Sequence, residues 1–408
     1  MKKALATILA ATMAFSLMAC SSGNTAAPAP AASTAASEAA PAASEAASEA
    51  AEAASEAASE AADTAAEAGD LKVAVFYYNF TDTYIASVRA ALDAQLDAAG
   101  VEYQNFDSNS NQATQNDLVN TAINDGYNLL VVNLVTSGSE DSAEEIIAAA
   151  NGVPVIFFNR AIEGDGNEGK VLNAHDDICF IGTDAPEAGH LQGKMIGDYL
   201  LEHYDEVDLN GDGVISYAMM KGDEANVEAI YRTQYGQEDA DAVLEAAGKP
   251  ALEYFDSSNA SKYQVDANGN WSAAAAKEFM DTNLAQFNEA NGNMIELVIC
   301  NNDNMAEGSI SSLEEAGYNT GEADATVIPV FGVDATEAAQ ALISAGKMTG
   351  TVKQDAEGMA KAICETAVAI GGGSSVADAI SSVAGGADMY SIAGDIVNKL
   401  FVAYAPFM

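Results

Sequence analysis

From Leu71 to the C-terminus, short apolar runs alternate with longer amphipathic stretches, and this alternation restricts the fold more than any other feature of the chain. Residues 72–78, 129–134, 153–158 and 295–300 are apolar on both faces of an extended chain, the pattern of strands in a parallel sheet covered on both sides. Between the runs, helical periodicity predicts helices near 83–99, 111–125, 138–150, 185–203, 227–246, 272–289, 304–316, 336–345 and 356–370. Such an order builds βαβ units and therefore an α/β fold. The roughly 340 residues involved exceed one ordinary core, so two lobes are expected. In open parallel sheets ligands bind beyond the carboxyl ends of the strands. That rule makes Asp82, Asn133, Asn302 and Asp334, polar residues just past apolar runs, the first site candidates.

Charge narrows the partner. Of 408 residues 61 are acidic and 16 basic, a formal net charge of −45, whereas binding to nucleic acid needs clustered Lys and Arg; no nucleic-acid partner is expected. Residues 1–20 carry Lys2 and Lys3, an apolar run and small residues, which reads as a secretory signal. The run falls short of the roughly 20 apolar residues of a spanning helix. Leu17-Met18-Ala19-Cys20 resembles the lipobox of bacterial lipoproteins, which implies that Cys20 is lipidated and anchors an exported protein to a membrane. Residues 21–69 are almost entirely Ala, Ser, Glu and Pro, with eight acidic side chains and no basic one, and read as a solvated tether. Fully helical, that tether would reach roughly 70 Å at about 1.5 Å per residue. The body keeps 53 acidic and 14 basic residues, so it is strongly acidic in its own right.

Motif searches find one strong local pattern. Asp208-Leu209-Asn210-Gly211-Asp212-Gly213-Val214-Ile215-Ser216 has oxygen side chains at positions 1, 3 and 5 of an EF-hand loop, Gly at 6, a backbone carbonyl at 7 and Ser216 at 9. The twelfth position is Met219 instead of the bidentate Glu. The loop is therefore either a solvated turn or a calcium site whose last carboxylate comes from elsewhere. The three cysteines after the tether, Cys179, Cys300 and Cys364, sit in apolar contexts and read as buried small hydrophobes; His175, His190 and His203 lack the spacing of zinc ligands. There is no HExxH and no GxSxG, and Gly189-His190-Leu191-Gln192-Gly193-Lys194 lacks the spacing and the hydroxyl residue of a P-loop, so it reads as helix surface.

Taken in order, several segments identify a resemblance: Asn133-Leu134-Val135, Val153 to Asn159, Ile181-Gly182-Thr183-Asp184, the Asp208 loop, Asn301-Asn302-Asp303, Ile328 to Asp334 and Gly350-Thr351-Val352. From Leu71 onward the chain resembles the periplasmic-binding-protein type I family, and within it the bacterial D-galactose/D-glucose-binding proteins of sugar ABC importers. The resemblance implies two lobes, each a parallel sheet flanked by helices, with crossovers between them: residues 71–152 with 355–398, and residues 153–354 with 399–408. It implies that Glu296 supplies the missing carboxylate, so that Asp208, Asn210, Asp212, Val214, Ser216 and Glu296 hold Ca2+. It also implies that Asp82 accepts from the sugar, that Tyr84 and Trp271 pack on its two faces, and that Asn133, Arg232, Asn302 and Asp334 bind its rim.

Such a pairing suits a pyranose, which presents C–H groups on its faces and hydroxyls at its edge. Three matched positions depart from the family pattern, with Asn226, Glu228 and Gln354 standing where galactose/glucose binders have His, Asp and Asn. All remain polar, so a monosaccharide of the galactose or glucose type is still expected, with epimer preference open to change. Ser216 replaces a longer amide, which points to water-mediated ligation at that position. The resulting expectation is a lipid-anchored, extracytoplasmic solute-binding protein, not an enzyme, that closes on its sugar and delivers it to an ABC importer permease. A sugar sensor signalling to a membrane receptor uses the same module. An exported glycoside hydrolase would need two carboxylates at catalytic separation. A transcription factor of the same fold would need a DNA-binding helix pair where this chain has its signal and tether.

Overall fold

A computed structural model describes residues 70–164 and 166–408; the signal, Cys20 and the tether lie outside them. In chain order the strands are β1 (Lys72–Tyr77), β2 (Glu102–Asp107), β3 (Leu129–Val132), β4 (Val155–Phe158), β5 (Ile178–Gly182), β6 (Ser216–Lys221), β7 (Glu253–Tyr254), β8 (Gln264–Val265), β9 (Leu297–Cys300), β10 (Val330–Asp334), β11 (Gly350–Lys353), β12 (Tyr390–Ala393), β13 (Ile396–Val402) and β14 (Ala405–Phe407). They form two sheets. One has the order β12-β13-β5-β4-β3-β1-β2, and the other β14-β11-β10-β9-β6-β7 with β8 paired to β6. The central strands are parallel and almost wholly buried, as their two-sided apolar sequence requires. Among the described residues, only β12 against β13 and β14 against β11 run antiparallel.

The expected fold class holds, but the lobe boundaries move. Residues 153–182 belong to the first lobe, because Leu130 pairs with Val155 and Val155 with Ile178 in one continuous parallel ladder. Residues 399–402 join it as well, since Lys399 pairs with Phe180. Apolar alternation shows that a run is a strand; it does not show which sheet the strand completes. The chain therefore crosses between lobes just after β5, just after β11 and between β13 and β14.

Each sheet has an apolar cluster on both faces. Cys179, Cys300 and Cys364 are free and buried among these clusters. The P-loop look-alike lies inside the Ala185–Val207 helix. A Cβ at Gly189 would stand 2.5 Å from Tyr231 O and one at Gly193 2.3 Å from Tyr235 O, so these glycines allow the Val227–Ala246 helix to lie directly against it.

Candidate functional site

Three candidate residues are helix N-caps. Asp82 Oδ1 accepts from Ile85 N (2.8 Å) at the start of Thr83–Ala98. Asn226 Oδ1 accepts from Ala229 N (3.1 Å) ahead of Val227–Ala246, and Asn302 Oδ1 from Met305 N (2.9 Å) ahead of Asp303–Glu315. Capping and site-building coincide here because a parallel strand hands the chain to a helix at the same sheet edge where ligands bind. All three line the interlobe cleft.

The cleft has aromatic walls. Tyr84 and Trp271 both line it and both are buried. Trp271 adopts a left-handed φ of 54°, and its carbonyl accepts from Asn304 Nδ2 (3.0 Å) and Asn302 Nδ2 (3.4 Å). Its ring lies against Gly222, where an added Cβ would sit 2.1 Å from two ring carbons. Gly222 therefore makes room for this aromatic wall, and nothing in the local sequence pattern singles it out.

Behind the walls stands a buried ion pair. Arg232 Nη2 donates to Glu228 Oε2 (2.9 Å), and Arg232 Nη1 to Asn301 O (2.9 Å). Burial works against the guanidinium charge, but Tyr404, Glu228 and Asp334 outweigh it and hold Arg232 protonated. Burial pushes the Asp334 carboxyl well up, with Arg232 opposing and Asp303 adding to the rise. Asp303 is itself pushed up to about 7 by burial, against hydrogen bonds from Thr351 and Thr336. Asp334 also has a φ of 128°, the kind of backbone strain that functional sites hold in place. Two buried donors, Arg232 Nε and Gln354 Nε2, have no protein acceptor.

Nine of the ten sequence candidates thus face one cleft: Asp82, Tyr84, Asn226, Glu228, Arg232, Trp271, Asn302, Asp334 and Gln354. Asn133 is the exception. It is fully buried behind the wall, donating to Phe158 O (3.1 Å) and Asn159 Oδ1 (3.2 Å) while accepting from Tyr78 N (3.3 Å), so it ties β1, β3 and β4 together instead of lining the cavity. Its place is taken by Tyr78, Asn159 and Arg160, which motif reading did not single out. The rule that chose Asn133, a polar residue past an apolar run, also applies to Asn159 and Arg160. Arg160 stacks on Tyr78 (4.1 Å to the ring centroid) and reaches across the cleft to Asp223 (3.4 Å). With Ser110 Oγ donating to Asn270 Oδ1 (3.3 Å), it bridges the lips, so this is a closed conformation.

The Asp208 loop is built from its own oxygens. Gly213 N donates to Asp208 Oδ2 (2.9 Å), Asp212 N to Asn210 Oδ1 (2.8 Å) and Val214 N to Asp212 Oδ1 (2.9 Å). Glu296 comes from just before β9 and accepts from Asn210 N and Ser216 N, both at 3.0 Å. Burial pushes the Glu296 carboxyl up, the two N–H groups oppose that, and Asp208 adds to it. Asp208 Oδ1 is buried without a partner. Among the described residues no three His, Cys, Asp or Glu side chains converge as a ready-made metal cluster. An EF-hand-type set relies equally on an amide and a backbone carbonyl, and an orphan carboxylate oxygen beside a buried Glu fits a hard cation. The Ser216 hydroxyl donates to Met294 O.

A family profile described as periplasmic binding protein domain matches residues 73–375. Over 301 residues the chain is 31% identical to the D-galactose/methyl-galactoside binding periplasmic protein MglB of Haemophilus influenzae, covering 73% of this chain and 81% of that one. Among solved structures, an ABC transporter solute binding protein from Clostridium phytofermentans with bound β-D-glucose aligns with a TM-score of 0.61 at 22% identity, covering 82% of this chain and 93% of that one. Another from Bacillus halodurans, with bound myo-inositol, gives 0.60 at 21% identity over 84% of this chain and 95% of that one. At these identities the two structures speak to the fold alone.

Proposed function

Because the chain belongs to the periplasmic binding protein domain family, we propose that it captures a neutral monosaccharide of the galactose or glucose type in the interlobe cleft and hands it to an ABC importer permease. The single observation behind the choice of ligand is the lining itself. Buried donors without acceptors, Arg232 Nε and Gln354 Nε2, stand with the carboxyl groups of Asp82, Glu228 and Asp334 between aromatic residues from opposite lobes. Such a mixture meets the hydroxyls of a sugar, each of which donates and accepts, while the aromatic faces take its C–H surfaces. The identity to a D-galactose/methyl-galactoside binding relative supports a hexose. Asn226, Glu228 and Gln354 are the positions that would set the epimer, since a site hydrogen-bonded to a hydroxyl rejects the analogue lacking it. The protein binds and releases; no bond of the ligand is broken.

Closure follows from ligand contacts to both lobes, which shift the population toward the conformation in which Arg160 meets Asp223. Export and anchoring through a lipid on Cys20 complete the reading, with the acidic tether as spacer. Calorimetry against a monosaccharide panel tests it: glucose or galactose is expected to give saturable heat and to change the fluorescence of Trp271, the sole tryptophan. No heat from any monosaccharide, with heat from another solute class, would sink the sugar assignment.

We further propose that Asp208, Asn210, Asp212, the Val214 carbonyl and Glu296 hold Ca2+, which would supply charge neutralisation to a buried carboxylate pair and fasten the loop to β9. With the Ser216 hydroxyl bonded to Met294 O, the ninth ligand is left to water. At calcium 100-fold above its dissociation constant, linkage gives ~2.7 kcal/mol of stability, so chelation is expected to lower the melting temperature by several degrees. An unchanged melting temperature would make the loop a turn.

A further inference from the structure

The three links between the lobes are short, and each places one polar side chain on the same ion pair. Thr183 follows β5, Gln354 follows β11, and Tyr404 lies between β13 and β14. Thr183 Oγ1 is 2.9 Å from Glu228 Oε1 and 2.9 Å from the Tyr404 hydroxyl. The Tyr404 hydroxyl donates to Glu228 Oε2 (2.9 Å) and accepts from Arg232 Nη2 (3.0 Å), which also reaches Gln354 Oε1 (3.1 Å). All five residues are buried. Thr183 and Tyr404 do not line the cavity, so neither is a ligand contact.

We infer that Thr183 and Tyr404 are positioning residues that tie the cleft-facing Arg232–Glu228 pair to all three hinge crossings, so that the hinge and the ligand-facing charges move as one unit. The physical reason is geometric. Rotation of the lobes changes backbone angles at the crossings, and any such change displaces Thr183 and Tyr404 relative to each other and to Glu228. The network is shielded from water, so its bonds are strong and an acceptor left unmatched there is costly. Burial also keeps the Tyr404 phenol protonated, which preserves it as a donor. A ligand that holds Arg232 and Glu228 in place would thereby hold the hinge closed, and a hinge held closed would present both groups in register.

The ligand half of this inference rests on the proposed sugar site; the hinge half does not. Amide hydrogen exchange on the ligand-free protein tests the hinge directly with Tyr404→Phe, Thr183→Val and Thr183→Ser. Tyr404→Phe removes the hydroxyl's bonds to both Glu228 and Arg232 and is expected to speed exchange around 183, 354 and 404 together by at least about fivefold, the size of one lost buried hydrogen bond, with β3 unchanged. Thr183→Val should do the same, and Thr183→Ser, which keeps the hydroxyl, should not. For a sugar that binds the parent, Tyr404→Phe should weaken affinity through faster release. Faster exchange confined to the 404 crossing, or equal behaviour of Thr183→Ser and Thr183→Val, would overturn the inference. A parent that binds no monosaccharide would remove the sugar reading and leave the exchange pattern to decide the hinge.

Discussion

Arg232→Met is expected to lower sugar affinity on the order of a hundred- to thousandfold, the loss that follows when one member of a buried, hydrogen-bonded charge pair is removed, about 2–5 kcal/mol. Three effects combine at this residue. The Nε donor available to the ligand disappears, the Glu228 carboxylate is left buried beside Asp334, and the bonds to Gln354 and Tyr404 are cut. Folding suffers too, since a buried charge stripped of its partner costs about 3–5 kcal/mol. The two effects separate in the double variant Arg232→Met with Glu228→Gln. Neutralising Glu228 relieves the uncompensated charge, so chemical denaturation should show most of the stability restored while calorimetry still shows the affinity lost. Parent-like affinity in either variant would remove Arg232 from the site.

Gly222→Ala is the second large effect, and it arises from a residue with no side chain. An alanine Cβ would stand 2.1 Å from two Trp271 ring carbons, well inside van der Waals contact, so the indole must leave its place. The Trp271 backbone is held by bonds from Asn302 and Asn304 to its carbonyl, and its φ of 54° leaves that backbone little room to follow. Displacing the aromatic wall should weaken binding on the order of 30-fold or more, the scale of a buried aromatic hot spot. Trp271→Ala should give a loss of similar size by calorimetry. The ligand-free Gly222→Ala protein should also show an altered Trp271 emission. If Gly222→Ala binds sugar like the parent while Trp271→Ala does not, the ring has another resting place.

The contrast between these two residues shows how far local reading reaches. Arg232 follows from its position in the family resemblance, whereas Gly222 follows β6 as an ordinary turn glycine and reveals its role only when the indole is seen against it. Asn133 illustrates the reverse. Its position after an apolar run matches a rim ligand, yet Phe158 O and Asn159 Oδ1 take its amide and the neighbouring Asn159 and Arg160 face the cleft. Asp82 and Asn302 are legible because one local fact, a cap at a strand-to-helix junction, makes them both structural and site-facing; Asn226 is a cap of the same kind but enters only through the family resemblance.

The α/β class, the two lobes, the strand-end location of the site and the oxygen-rich Asp208 loop were determined by sequence, because burial on both faces of a strand, helix periodicity and loop chemistry are properties of neighbouring residues. Tertiary structure decided which sheet β4, β5 and β13 complete, what Asn133 bonds to, what Gly222 makes room for, and that Thr183, Gln354 and Tyr404 meet on Arg232 and Glu228. These outcomes depend on register and close packing between segments up to 221 residues apart. A short window of sequence reports how strongly a residue prefers to be buried, and it holds no record of the partner it will be buried against.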